Sequence, residues 1–87
     1  MMAQAGGETF AVQTGAFLVE ANATDMIQNL MEIGVAANVF VRTDAKQRTW
    51  YLVRCGNSLE REEAKKLQSL LKKQHRIDSV IRPMHSF

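Results

Sequence analysis

The stretches FAVQTG (residues 10–15) and YLVRCG (residues 51–56) share one pattern and decide the fold. Each alternates between two sets of side chains and ends at a glycine, which predicts a half-buried strand that runs into a turn. Shifting the chain by 41 positions aligns 9–41 with 50–82 and gives six identical pairs, where unrelated sequence would give roughly two. The chain is therefore predicted to contain two copies of one structural unit.

Each copy is predicted to consist of a strand, a helix and a second strand. Apolar residues recur at helical spacing over 23–33, where Gly34 is a helix stop, and again over 64–71. The second helix has acidic residues in its first turn and lysines at its end, which suits the helix dipole. Alternating residues over 35–42 and a shorter stretch over 79–82 predict the strands that follow the helices.

Two right-handed strand-helix-strand units predict an α+β fold of order βαββαβ, ferredoxin-like or RNP-like. It has a four-stranded antiparallel sheet with both helices on one face. Because each helix has one apolar stripe and the strands alternate, only one sheet face can be covered. The other face, called the outer face from here on, is left open. Alternation assigns to it Ala11, Gln13, Asn38, Phe40, Arg42, Trp50, Leu52, Arg54, Ser79 and Ile81.

The predicted outer face combines aromatic, amide and arginine side chains and contains no acidic residue. Large apolar side chains on an uncovered sheet mark an interaction surface. Trp50 and Phe40 offer flat rings, Gln13 offers hydrogen-bond donors and acceptors, and Arg42 and Arg54 offer planar cationic groups. Such a set suits a flat polar polymer with some anionic groups. The alternative is that an extra helix or a dimer partner covers these apolar residues.

Size and charge limit the remaining classes of protein. The 87 residues, 9.8 kDa, allow a single domain. Eleven Lys and Arg against nine Asp and Glu give a net charge of +2, too small to predict a nucleic-acid partner. No apolar stretch approaches the ~20 residues of a membrane helix. Any membrane contact is expected only through parts of a longer parent protein.

The chain offers no recognisable catalytic or metal-binding set. Cys55 is the only cysteine, which excludes an intramolecular disulfide, and it is expected to be a small buried hydrophobic residue. His75 is predicted at a helix end and His85 in the terminal tail. No carboxylate pair, phosphate loop, Ser/His/Asp set or metal-ligand spacing is found. We therefore expect no enzymatic activity, no cofactor and no metal.

The ordered motifs resemble the SPOR domain, the sporulation-related repeat of bacterial envelope proteins. The resemblance covers 9–83 and rests on FAVQTGAF (residues 10–17), YLVRCG (residues 51–56) and REEA (residues 61–64). Residues 1–8 would then be a flexible linker or an artificially introduced start, and 84–87 a C-terminal tail.

The resemblance implies binding of peptidoglycan glycan strands, preferably those stripped of their stem peptides. It also implies a monomeric domain in the periplasm or cell envelope whose parent protein is directed to the division septum. By position, the family's binding residues correspond to Gln13, Ala16, Trp50, Leu52 and Ile81. The family has a serine at the position of Ala16 and often an arginine at the position of Leu52. We expect Arg54 or Arg42 to supply the missing cation.

Two other functions remain open from the residues alone. RNA-recognition motifs share the βαββαβ order and bind single-stranded RNA on sheet aromatics. The predicted third strand lacks their Lys/Arg-Gly-aromatic-Gly-aromatic signature. A protein-interaction module that dimerises through its sheet would also use an apolar outer face.

Overall fold

A computed structural model describes residues 8–84, so residues 1–7 of the predicted linker (1–8) and residues 85–87 of the predicted tail (84–87) lie outside the described residues. The elements are β1 (Phe10–Phe17), α1 (Glu20–Glu32), β2 (Ala37–Thr43), β3 (Thr49–Leu59), α2 (Arg61–His75) and β4 (Val80–Pro83). The predicted order βαββαβ is confirmed.

The four strands form one sheet of order β2-β3-β1-β4, in which all neighbours are antiparallel. Both helices pack on the same face, since their buried residues share one apolar cluster with the strands. This cluster contains Phe10, Val12, Ala23, Leu30, Val53, Cys55, Ala64 and Leu71. The α+β, RNP-like architecture is therefore as predicted, with the outer face on the side opposite the helices.

The helix ends follow from local chemistry. Gly34, just beyond α1, has φ of +83°, a left-handed conformation that glycine adopts without steric penalty. At the start of α2, the side chains of Glu60 and Glu63 each bond the other's backbone in a capping box. The two helices differ in length, 13 residues for α1 and 15 for α2.

A bulge in β1 sets the positions of the residues that follow it. The register with β3 shifts between Gln13 and Gly15, so Thr14 is the extra residue. The Thr14 hydroxyl lies 3.3 Å from the sulfur of Met26 in α1, on the helix side. After the bulge, Ala16 lies opposite Leu52 on the outer face.

The prediction that Ile81 lies on the outer face is wrong. Ile81 is opposite Val12 and packs against the core, whereas Val80 and Arg82 are opposite Gln13 and Ala11. Directly opposed residues share a sheet face, so Val80 and Arg82 lie on the outer face. The two copies are offset by one residue after their helices, because the left-handed residue that ends α1 is Gly34 and the one that ends α2 is Arg76, 42 positions later and not 41. A shift of one residue exchanges the two faces of a strand, so the repeat predicted the wrong face for β4.

Candidate functional site on the outer face

The strand register arranges the outer-face residues in rows across the sheet. All predicted site residues except Ile81 lie on this face. From the centre toward the β2–β3 hairpin, the rows are Asn38, Arg54, Gln13 and Val80, then Phe40, Leu52 and Ala16, then Arg42 and Trp50. Arg82 lies on the same face beside Ala11. Sequence reasoning missed Arg82 because four residues are too few to determine which alternate set is buried.

Arg54 occupies the centre of the outer face and is 0% exposed. Its Nε donates to Oε1 of Gln13 at 3.0 Å, and its Nη1 donates to the carbonyl oxygen of Met84 at 3.4 Å. Its Cζ lies 5.4 Å from the centre of the Phe40 ring, within the range of a cation–π contact. We call this group of Arg54, Gln13, Phe40 and Met84 the arginine bridge.

Burial and neighbouring charge both act on the Arg54 guanidinium. Desolvation lowers its pKa most, and repulsion from Arg42 and Arg82 lowers it further. Arginine nevertheless remains a cation at neutral pH. Because Arg54 is fully buried, it lacks the exposure that direct ligand contact needs. Arg42, which is half-buried and lies 5.7 Å from the Phe40 ring centre, is the more accessible cation.

The expected exposure of Leu52 is also wrong. Leu52 is 1% exposed, and its neighbours across the sheet are Phe40 and Ala16. Of the large apolar residues predicted for the outer face, Phe40 and Trp50 do lie there and are half-buried. The surface is therefore shallow, with a filled centre and aromatic residues toward one end.

Trp50 is held at the hairpin by the carboxylate of Asp44. Oδ2 accepts from Trp50 Nε1 at 2.9 Å and from Arg48 Nε at 2.8 Å. Oδ1 accepts from the backbone N–H groups of Lys46 at 2.8 Å and Arg48 at 3.0 Å. The Cζ of Arg48 lies 5.6 Å from the Trp50 ring centre. We call this group of Asp44, Lys46, Arg48 and Trp50 the hairpin clamp.

The clamp holds the pKa of the Asp44 carboxyl well below its usual range, chiefly through the hydrogen bond from Trp50. Sequence reasoning missed Asp44. The available signal was an aspartate at the start of a polar loop, where its side chain commonly accepts backbone N–H groups two or more residues further on.

Trp50 and Gln13 do not meet. Gln13 is opposite Arg54, and Trp50 lies four residues from Arg54 along β3, so the two sites are roughly 13 Å apart at the rise of a strand. A molecule that contacts both side chains must therefore be extended along the sheet.

A cleft of about 280 Å³ lies next to Gln13, where β4 begins and separates from β1. It is lined by Gln13, Thr14, Gly15, Ala16, Asp78, Ser79 and Val80. Val80 is 54% exposed, so it and Ala16 give the cleft an apolar wall beside the Gln13 amide.

Other chemistry is not apparent among residues 8–84. They contain no group of three or more His, Cys, Asp or Glu side chains able to hold a metal ion. Neither helix is both long enough and apolar enough to cross a bilayer. Burial raises the pKa of the Cys55 thiol, which keeps this side chain unreactive at neutral pH.

Comparison with known proteins gives one family and two related folds. The family model for the SPOR domain matches residues 6–83. The peptidoglycan-binding domain of the B. subtilis cell wall lytic enzyme CwlC has a TM-score of 0.69 and 20% identity, over 95% of this chain and 98% of that one. A Burkholderia pseudomallei protein described as exported has a TM-score of 0.73 and 22% identity, over 87% of this chain but 16% of that one. No curated protein matches the sequence.

Proposed function

Because the chain belongs to the SPOR family, we propose that it binds peptidoglycan glycan strands through the outer face. The bound strands are those stripped of stem peptides, and the binding directs a parent protein to the division septum without catalysis. The related fold of the CwlC peptidoglycan-binding domain, matched over 98% of its length, supports this proposal.

The proposal depends on the spacing of the accessible side chains on a face that neither α1 nor α2 covers. Gln13 lies roughly 13 Å from Trp50 by strand rise, with Phe40 in the row between them. The C–H faces of successive sugars can stack on Phe40 and Trp50, while Gln13 hydrogen-bonds a polar substituent. An extended sugar chain meets all three conditions.

The filled centre of the face supplies a reason for preferring stripped strands. Buried Leu52 and Arg54 fill the centre of the described outer face, which leaves little room there for a stem peptide. A peptide attached to the sugar would hold the chain away from the aromatic rings. Removal of the peptide also uncovers the lactyl carboxylate of the sugar, which the Arg42 guanidinium can bind through charge-assisted hydrogen bonds.

The test is sedimentation with purified peptidoglycan, either intact or treated with an amidase that removes stem peptides. We expect stronger binding to the treated material, and binding weakened about tenfold in Gln13→Ala and Trp50→Ala, which corresponds to the loss of one good contact. Gln28→Ala, on the exposed surface of α1, is the matched control and should bind as the unmodified protein does. Undiminished binding by folded Gln13→Ala and Trp50→Ala would refute the outer-face mechanism.

Two further measurements test RNA recognition and targeting to the division septum. A salt-dependent shift of single-stranded RNA, with no binding to glycan strands, would favour RNA recognition instead. A fluorescent fusion exported to the envelope should form a ring at midcell that disappears with Trp50→Ala.

A further inference from the structure

We infer that Gln13 acts as a hydrogen-bond donor to the ligand, that Arg54 sets this polarity as a positioning residue, and that the accepting group is the acetamido carbonyl of an N-acetylated sugar. The inference rests on the proposed function and specifies which chemical group of the strand the cleft beside Gln13 recognises.

The orientation of the Gln13 amide follows from its contact with Arg54. The Arg54 Nε lies 3.0 Å from the amide of Gln13, and a guanidinium has only donors. The amide atom that faces it must therefore be the oxygen, Oε1. Turning the amide over would place an NH2 group against a cationic donor and lose the bond.

The opposite end of the amide is then Nε2, with two N–H donors. Nε2 makes no hydrogen bond to another residue within 8–84, and Gln13 lines the cleft at the start of β4. The side chain is half-buried, so a ligand in the cleft can reach it. The site therefore offers a donor to the ligand and uses its acceptor internally.

Arg54 is suited to hold this orientation because it cannot easily move. The contacts with Gln13, Met84 and Phe40 reach three other strands or their ends, and the side chain is 0% exposed. A fixed donor on one side keeps Oε1 engaged while a ligand arrives on the other. Arg54 thus acts on the ligand only through Gln13.

An acetamido group matches the cleft in both polarity and shape. A sugar hydroxyl can donate or accept, so a side chain that only donates does not select it, whereas an amide carbonyl only accepts. Ala16 and Val80 line the same cleft and can pack against the acetamido methyl group. Removal of the acetyl group leaves an ammonium, a cationic donor that opposes the Gln13 donor.

The first test uses Gln13→Glu, which keeps an acceptor oxygen for Arg54 and removes the donor. We expect its thermal midpoint to stay at or above that of the unmodified protein, because the bond to Arg54 becomes an ion pair. Its affinity for N-acetylated strands should fall about tenfold. Gln28→Glu adds the same charge on α1 and should leave affinity unchanged.

A second ligand, de-N-acetylated glycan strands, distinguishes loss of the Gln13 hydrogen-bond donor from simple charge repulsion. The unmodified protein should bind chemically de-N-acetylated strands about tenfold more weakly than acetylated strands, and Gln13→Glu should lose or reverse this preference. If Gln13→Glu binds acetylated strands normally, or keeps the preference, the inference is overturned while the proposed function stands. If the unmodified protein binds neither strand, the proposed function fails and the ligand role of Gln13 fails with it.

The positioning role of Arg54 has a readout that needs no ligand. In ¹⁵N spectra, the side-chain NH2 signals of Gln13 should shift in Arg54→Lys, which keeps the charge and loses the Nε donor. They should remain in place in Arg42→Lys, which changes a neighbouring arginine. Unchanged Gln13 signals in folded Arg54→Lys would overturn the positioning role whether or not glycan binds.

Discussion

The arginine bridge and the hairpin clamp both hold a side chain of the outer face in one orientation, but they are built in opposite ways. The bridge is centred on a buried cation, the Arg54 guanidinium, which donates to Gln13 and to Met84, 41 and 30 residues away in sequence. The clamp is centred on an anion, the Asp44 carboxylate, which accepts four hydrogen bonds from residues at most six positions away.

The two groups should differ in how far the effect of breaking them spreads through the domain. The bridge forms only when all four strands are assembled, and its charge lies away from water, so its loss should affect the whole domain. The clamp needs only the β2–β3 hairpin and lies at the solvent-facing end of the sheet, where charge interactions are screened. Its loss should affect Trp50 and leave the fold in place.

The largest effect is expected when the bridge is broken by Arg54→Met. The substitution leaves the Gln13 oxygen and the Met84 carbonyl without their donor, and an unsatisfied buried group makes folding less favourable by about 2 kcal/mol. For a domain of this size, that loss lowers the melting temperature by about 10 °C. Calorimetry or thermal circular dichroism measures it directly.

Arg42→Met is the matched control on the same face. Arg42 is half-buried, and its hydrogen bond goes to the carbonyl of the adjacent Val41. Its replacement should change the free energy of unfolding by less than about 0.5 kcal/mol. Equal losses for the two variants would show that position in the bridge does not matter and would remove the contrast between the two regions.

The outer face illustrates which features a sequence can predict. β2 and β3 are long enough for alternation to determine their faces, so Phe40, Arg42, Trp50 and Arg54 were placed correctly. β4 has four residues, and for so short a strand the pairing partner decides the face. Ile81 is misassigned because the chain leaves α2 one residue later than the repeat of 41 requires, with Arg76 at the position of Gly34, and one residue exchanges the faces of the next strand.

Exposure within the face could not be predicted from alternation. Alternation distinguishes the two sides of a sheet, but not whether a neighbouring side chain lies across a residue. Arg54 is buried because it extends over β1 to reach Met84 at the end of β4, and this path passes the small residue Ala11, itself fully buried. Such a crossing depends on register and rotamer, which the one-dimensional pattern does not contain.

A smaller effect is expected when the clamp is broken by Asp44→Ala. Trp50 is the only tryptophan, so intrinsic fluorescence reports this one side chain. The free indole should emit at longer wavelength because water reaches its N–H group. Glycan affinity should fall about threefold, since the ring must be ordered on binding, with a smaller loss of thermal stability than in Arg54→Met.

Asp44→Asn, a conservative change, and Lys73→Ala, a distant one, are the control variants for this prediction. Asp44→Asn keeps one acceptor oxygen and should give an intermediate emission shift. Lys73→Ala removes an exposed charge on α2, far from the hairpin, and should give none. If Asp44→Ala lowered the melting temperature as much as Arg54→Met, the clamp would be a determinant of the whole fold and not a local device.

The smallest effect is the pH dependence of the clamp. The Asp44 pKa is lowered in the folded protein, below the ordinary value of about 3.9 that applies to the unfolded chain. The stabilisation it contributes is therefore fully present above about pH 5 and is lost as the pH falls through about 4 toward the folded pKa.

The difference in melting temperature between the unmodified protein and Asp44→Asn should be constant from pH 8 to pH 6. It should shrink from pH 5 to pH 2, since protonation removes from the unmodified protein the charge that the variant lacks already. A difference that stays the same down to pH 2 would mean that the Asp44 charge plays no part in holding Trp50, and that the clamp works through neutral hydrogen bonds alone.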